Sequence, residues 1–134
     1  MGRDRAAGGQ ASDGGAYPVS DNPVVLLWWL VVGHAVMDFW AQSDALAQLK
    51  NRNIANTRGP GAAGIWPYAL GAHALHHGAA VAIVMQSIPL GIAETISHWL
   101  IDFGKCDGWY GIHVDQAAHL ICKVVWLGLF YAAQ

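Results

Sequence analysis

Residues 24–41 decide the fold; they read V-V-L-L-W-W-L-V-V-G-H-A-V-M-D-F-W-A, and His34 and Asp38 are the ionisable residues among them. A helix needs about 17–25 residues of this apolar character to cross the hydrocarbon core of a bilayer. Pro23 precedes the run, and proline favours the first position of a helix. The stretch therefore predicts a membrane-spanning helix that carries a histidine and an aspartate.

Three further apolar segments follow along the chain, at residues 62–86, 89–103 and 115–132. Pro67 lies near the start of the first of these, so we expect its helix to begin there. The other two are short for a span and would need protein partners inside a bundle. The predicted fold is all-α, a polytopic membrane helix bundle of about four transmembrane helices. We expect a multi-pass protein of the cell membrane, with the lipid bilayer as its partner and a homo-oligomer as an open alternative.

The composition agrees with a membrane protein. Hydrophobic residues make up 54% of the chain and charged residues 12%, which is about half the charged share of a soluble domain. Residues 1–22 are glycine-rich and lack apolar periodicity, so we expect a disordered tail before a membrane domain at 23–134. The net charge of −2 argues against nucleic acid as a partner, because nucleic-acid binding needs a clustered basic surface.

Polar side chains recur inside all four apolar segments, and in three of them a histidine and a carboxylate stand four residues apart. A spacing of four places side chains on one face of a helix. These residues are, in chain order, His34, Asp38, Gln42, His73, His76, His77, Glu94, His98, Asp102, Asp115, Gln116 and His119. We expect the four faces to point into the bundle, since ionisable groups at membrane depth cost roughly 2.5–3.5 kcal/mol each unless they satisfy one another.

Imidazole and carboxylate groups that converge from facing helices are typical of metal sites in helix bundles. The sequence therefore predicts a divalent metal ion, with zinc or manganese/iron as the candidates. The predicted ligands are His34, Asp38, His73, His76, His77, His98, Asp102, Asp115 and His119. Three further residues are predicted to support these ligands: Gln42, Lys105 and Gln116.

A metal ion with an open coordination position activates water, which predicts a metal-dependent hydrolase whose substrate the sequence leaves open. Glu94, one turn before His98, is then the candidate general base. The same residues could instead form a polar relay in an ion or proton translocating protein. A third interpretation is a non-enzymatic, phage-type membrane partner protein, in which the polar residues only hold the helices together.

Four motifs in this order resemble the domain-of-unknown-function (DUF) 3307 family of small bacterial and phage membrane proteins. They are G-H-A-V-M-D-F-W-A-Q (33–42), H-A-L-H-H (73–77), H-W-L-I-D-F-G-K (98–105) and H-V-D-Q-A-A-H-L (113–120). The resemblance implies a multi-span membrane protein and implies no particular activity. It matches the family at His34, Asp38, Gln42, His73, His98, Asp102, Lys105, Asp115, Gln116 and His119.

Overall fold

The computed structural model describes residues 18–134, and every regular element within that range is helical. The elements are α1 (Pro23–Ala35) with a π-helical turn (Val36–Trp40), α2 (Asp44–Leu49), α3 (Arg52–Ala55), a 3-10 turn (Asn56–Arg58), α4 (Trp66–Met85), α5 (Ile88–Cys106) and α6 (Ile112–Ala132). The all-α prediction is confirmed. Of the predicted disordered tail (residues 1–22), residues 1–17 lie outside the described part of the chain. In the remaining part, Val19 N donates to the Val84 carbonyl oxygen over 3.2 Å.

Local sequence explains where the long helices begin and end. The Asn22 side chain accepts from the backbone N–H groups of Val24 and Val25 and so caps α1. Pro67 lies in the first turn of α4, close to where the sequence placed it. Gln86 follows the last residue of α4; it takes a left-handed conformation with φ of 49° and turns the chain directly into α5. Both α5 and α6 are longer than the predicted segments: α5 continues past residue 103 to Cys106, and α6 begins at Ile112.

The four long helices alternate in direction and close into a ring, in which each packs against two neighbours in the order α1, α4, α5, α6. The closest approach is between α4 and α5. A Cβ atom added at Gly78 would lie 2.5 Å from the Gly91 carbonyl oxygen, and one added at Gly91 would lie 2.7 Å from the Gly78 carbonyl oxygen. Glycine at both positions therefore lets the two backbones touch.

The interior of the bundle has an apolar end and a polar end. Leu26 and Leu30 of α1 pack against Val81 and Met85 of α4 at the apolar end. The polar end holds the histidines and carboxylates, and the segment with α2 and α3 covers it. Arg52 of this segment donates to the carboxylate of Asp107 at the end of α5.

The chain between α5 and α6 folds back onto α5. The Tyr110 hydroxyl donates to the Ile101 carbonyl oxygen over 2.5 Å, and Trp109 N donates to the Gly104 carbonyl oxygen over 3.0 Å. Burial raises the pKa of the Tyr110 phenol, so this hydroxyl remains a donor. These contacts fix the start of α6 beside the end of α5.

One helical stretch among the described residues, Pro23–Trp40, is long and apolar enough on its own to cross a membrane. The polar side chains of α4, α5 and α6 lower the mean hydropathy of those helices. The prediction of about four transmembrane helices is thus not confirmed by helix composition.

Candidate metal centre

The buried interior is unusually polar. Among residues 18–134, ten buried side chains are polar or charged and eight are apolar. We call these ten polar or charged side chains, together with the adjacent Asp38 and Gln116, the polar layer. Its members are His34, Asp38, Lys50, His73, His77, Glu94, His98, Asp102, Asp115, Gln116, His119 and Lys123. All four long helices and the loop before α3 contribute to it.

Asp38 enters the polar layer from a π-helical turn in which Ala41 N donates to the Val36 carbonyl oxygen over 2.8 Å. Such turns occur mostly as single insertions in α-helices and are frequent at functional sites. Asp38 Oδ1 lies 3.3 Å from His73 Nε2 and 3.2 Å from His77 Nε2. One carboxylate oxygen thus faces two imidazoles from the neighbouring helix.

These contacts have the distances of ion pairs but not the angles of good hydrogen bonds. The atoms His73 Nε2 and His77 Nε2 are buried and have no hydrogen-bond partner within the described part of the chain, although buried polar groups are normally paired. Four ligands in a tetrahedral zinc site, with bonds of about 2.0–2.1 Å, lie about 3.3 Å from one another. Ligand atoms of Asp38, His73, His77 and His98 all lie within 4.8 Å of one another. The donor set and its spacing therefore fit a divalent metal ion.

Two residues hold the Asp38 and His77 side chains in this orientation. His34 Nδ1 lies 3.3 Å from His77 Nδ1, in a hydrogen bond between the two rings. His34 Nε2 lies 3.3 Å from Gln116 Oε1, and Gln116 Nε2 donates to Asp38 Oδ2 over 2.8 Å. Both ring nitrogens of His34 are thus engaged, and the structure places this predicted ligand behind His77 as a supporting residue.

A second group of ligand atoms lies beside the first. His119 Nε2 is 3.6 Å from Asp102 Oδ1 and 3.6 Å from Asp115 Oδ1, and ligand atoms of these three residues lie within 4.8 Å of one another. The His98 ring joins the groups, stacking on His77 with 3.6 Å between ring centroids and on His119 with 4.0 Å. Most of the predicted ligands therefore meet in one continuous cluster.

Glu94 differs from the other carboxylates because each of its oxygens accepts a hydrogen bond from a protein side chain. Lys123 Nζ donates to Glu94 Oε1 and Trp126 Nε1 donates to Glu94 Oε2, each over 2.5 Å. His98 Nδ1 lies 3.4 Å from Glu94 Oε1. A carboxylate neutralised by a buried ammonium group is a poor proton acceptor. The geometry therefore does not favour the predicted general base and gives Glu94 a role in orienting His98.

The model of a family described as "Protein of unknown function (DUF3307)" matches residues 26–133, most of the chain. The chain belongs to the DUF3307 family. The match includes α1 from residue 26 onward, all of α4, α5 and α6, and every residue of the polar layer. No curated protein and no solved structure matched the chain. The family description states no activity for a DUF3307 protein.

Some predicted residues of the DUF3307 protein lie apart from the cluster. His76 is exposed on α4, because the rotation of the helix points the side chains of His73 and His77 inward and leaves His76 on the outer side. Gln42 and Lys105 are half-buried and line a cavity at the polar end. The Gln42 side chain donates to the Asp38 carbonyl oxygen over 3.3 Å.

Two residues of the polar layer were absent from the predicted site. Lys50 Nζ lies 2.6 Å from Asp102 Oδ2, and Lys123 pairs with Glu94. Lys123 follows His119 by four residues, so helical spacing could have placed it on the inward face. Lys50 lies in a segment that gave no such signal, and 52 residues separate it from Asp102.

The cluster has an opening at the polar end of the bundle. A cavity of about 70 Å³ reaches it there and is lined by Asp38, Phe39, Gln42, Lys50, Asp102, Lys105, Ile112, Asp115 and Gln116. Three of these are carboxylates of the cluster, so a small polar molecule can reach them from this side. At the other end the apolar packing of Leu26, Leu30 and Met85 closes the bundle.

Proposed function

We propose that this DUF3307 protein is a multi-pass membrane protein that binds a divalent metal ion inside its helix bundle and acts as a metal-dependent hydrolase. The observation that carries the proposal is the convergence of Asp38 Oδ1, His73 Nε2 and His77 Nε2 at 3.2–3.3 Å, with both imidazole nitrogens lacking a hydrogen-bond partner in residues 18–134. These nitrogens contact carboxylate oxygens without good hydrogen-bond geometry. A buried donor or acceptor that makes no hydrogen bond costs about 1–3 kcal/mol, and a metal ion bound between these atoms would offset that cost.

The charge balance of the polar layer supports a divalent cation. Its four carboxylates, Asp38, Glu94, Asp102 and Asp115, face two ammonium groups. If every imidazole is counted as neutral, two negative charges in this largely buried cluster are uncompensated; two protons on the histidines would offset the same charge. Burial of unpaired charge is strongly unfavourable, and one divalent ion would neutralise it.

The distribution of side chains supports a membrane location for the bundle. Ionisable groups fill the interior, while apolar side chains project outward along the helices; Ile83 is 64% exposed, Ile96 58% and Ile121 62%. Soluble proteins bury such side chains, whereas a bilayer solvates them and drives polar groups inward. Exposed Trp40 and Tyr68 lie toward the polar end, where an interfacial aromatic belt would place them.

Helix α1 belongs to the folded bundle in this proposal. It supplies His34 and Asp38 to the polar layer and Leu26 and Leu30 to the apolar end. An N-terminal apolar helix can also be a signal sequence. Cleavage after such a helix would remove the carboxylate that faces His73, so the metal centre requires that α1 be retained.

A metal ion held by these residues would supply a water of lowered pKa for hydrolysis. The chain contributes the inward-facing ligands, the Gln116 amide that orients Asp38, and an opening beside exposed Phe39 and Ile112. An opening with an apolar rim at the bilayer surface suits a lipid-like ester as substrate. In its hydrolysis the water oxygen bonds to the acyl carbon, the carbon–oxygen bond to the alcohol breaks, and a proton from water leaves with the alcohol.

Elemental analysis of detergent-purified protein, prepared without chelators, tests the metal centre. We expect zinc, manganese or iron in stoichiometric amount in the wild type and its loss in His77→Ala. His76→Ala is the matched control, because His76 is the adjacent residue of the same helix and is exposed; it should keep the metal. Wild-type protein that remains metal-free after incubation with these ions would refute the proposal.

A second candidate function, ion or proton translocation, is favoured by the continuity of the polar layer. The rings of His77, His98 and His119 stack in sequence, and the pair of Glu94 and Lys123 continues the line inward. The apolar end of the bundle interrupts this line before it crosses, so the metal centre fits better. Metal-free protein in liposomes that conducts protons, and loses this conductance in Asp102→Asn, would support translocation instead.

A further inference from the structure

We infer that the polar layer holds two divalent ions, one beside Asp38, His73 and His77 and a second beside Asp115 and His119, with Asp102 shared between them. This inference rests on the proposed metal centre. It adds a second binding site and a bridging residue to that centre.

The position of Asp102 is the main evidence, because its two oxygens face different groups. Asp102 Oδ2 lies 3.4 Å from His73 Nε2, and Asp102 Oδ1 lies 3.6 Å from His119 Nε2. A carboxylate can bind two ions through its two oxygens, as in the carboxylate-bridged metal pairs of helix bundles. Asp102 is buried and therefore held in this orientation between the two groups.

The second group also contains polar atoms without partners. Asp115 Oδ1 and both ring nitrogens of His119 are buried and make no hydrogen bond inside the described range. His119 and Asp115 are each 1% exposed, so solvent does not satisfy them. The spacing of 3.6 Å from His119 Nε2 to an oxygen of each aspartate is close to that of neighbouring ligands around one ion.

Lys50 occupies the place of a cation at the Asp102 oxygen that faces His73 of the first group. Its Nζ lies 2.6 Å from Asp102 Oδ2, an oxygen that the shared arrangement requires as a ligand. Lysine is a point charge on a flexible stem, and Lys50 lines the cavity at the polar end, so its ammonium group can withdraw toward the opening. With Lys50 withdrawn and two divalent ions bound, the four carboxylates and Lys123 leave one unit of positive charge in the polar layer.

Metal-to-protein ratios of the full chain, saturated with Mn²⁺ or Zn²⁺ and then desalted, test this inference. The expected ratio is two in the wild type and one in Asp115→Asn, whose side chain keeps its shape. His113→Ala is the matched control, because His113 is exposed in the same first turn of α6; it should keep a ratio of two. Circular dichroism checks that each variant is folded.

Three outcomes are separable. A wild-type ratio of one would overturn the second site and leave the proposed metal centre standing, whereas a ratio of zero would overturn both. A ratio of two that persists in Asp115→Asn would also overturn the inference. Lys50→Gln should lower the Kd of the first ion about tenfold, because a positive charge has been removed from its Asp102 ligand oxygen; an unchanged Kd would contradict the exchange.

Discussion

Lys50 Nζ lies 2.6 Å from Asp102 Oδ2, and both side chains are almost completely buried. This ion pair connects the segment that covers the polar end to the part of the polar layer that α5 contributes. Lys50→Met removes the ammonium group and leaves a buried carboxylate uncompensated. We expect metal-free protein to lose about 3–5 kcal/mol of unfolding free energy, the usual cost of breaking a buried pair.

Thermal unfolding in detergent, followed by circular dichroism, measures this loss. Arg58→Met is the control, because Arg58 lies in the same connecting segment and is exposed. Equal unfolding midpoints for the two variants would show that the pair of Lys50 and Asp102 does not stabilise the fold.

The pair of Glu94 and Lys123 gives a second prediction. Lys123→Met should destabilise the protein by about 3–5 kcal/mol, because Glu94 then keeps its buried charge without a counterion. The double variant Glu94→Gln/Lys123→Met removes both charges and should recover most of that loss. A double variant as unstable as the single one would indicate that the ion pair is not the source of the effect.

Gln116 is predicted to control metal affinity without binding the metal. Its amide donates to Asp38 Oδ2 and its carbonyl oxygen faces His34. Gln116→Leu should leave the fold intact and weaken metal binding about 10–100-fold, the range found for residues that orient metal ligands. Competition titration against a chelator of known affinity measures the change. His113→Ala on the same helix should leave the Kd unaltered, and a Gln116→Leu variant with wild-type Kd would contradict the prediction.

The contact between α4 and α5 predicts opposite effects for two glycines of α4. A Cβ atom at Gly78 would lie 1.9 Å from Thr95 Oγ1 and 2.5 Å from the backbone oxygen of Gly91, whereas one at Gly71 meets nothing within 4 Å. Gly78→Ala should therefore destabilise the bundle by about 1–3 kcal/mol or more. Gly71→Ala should stabilise it by about 0.5–1 kcal/mol, because alanine is the better helix former. Unfolding in detergent compares them; equal effects would refute the predicted backbone contact.

Ile96 tests the membrane location. Its side chain is 58% exposed in the middle of α5. Ile96→Lys would place a charge against lipid, at a cost of about 2.5–3.5 kcal/mol near a span centre, and should reduce the protein that resists carbonate extraction. In a soluble bundle the same change would be within about 0.5 kcal/mol of neutral. Thr57→Lys, exposed in the loop before α4, serves as the control and should leave extraction unchanged.

Helical spacing accounts for the part of the site that could be predicted. His34 and Asp38 are four residues apart, and so are Asp115 and His119; in the structure the side chains of these pairs lie 3.5 and 3.6 Å apart. Spacing could not decide between His76 and His77, because both lie within one turn of His73. The orientation of α4 against α5, set by the contact of two glycines, turned His77 inward.

The sequence by itself determined that this chain is helical, that four long helices carry polar residues on one face, and that it is a DUF3307 protein, because these properties depend on local pattern and motif order. Only the tertiary structure decided how those faces meet. It brought Lys50 to Asp102 across 52 residues and directed the two oxygens of Asp102 toward different histidines. Periodicity defines a face on each helix, but the packing of neighbouring helices and the docking of the covering segment determine what that face contacts.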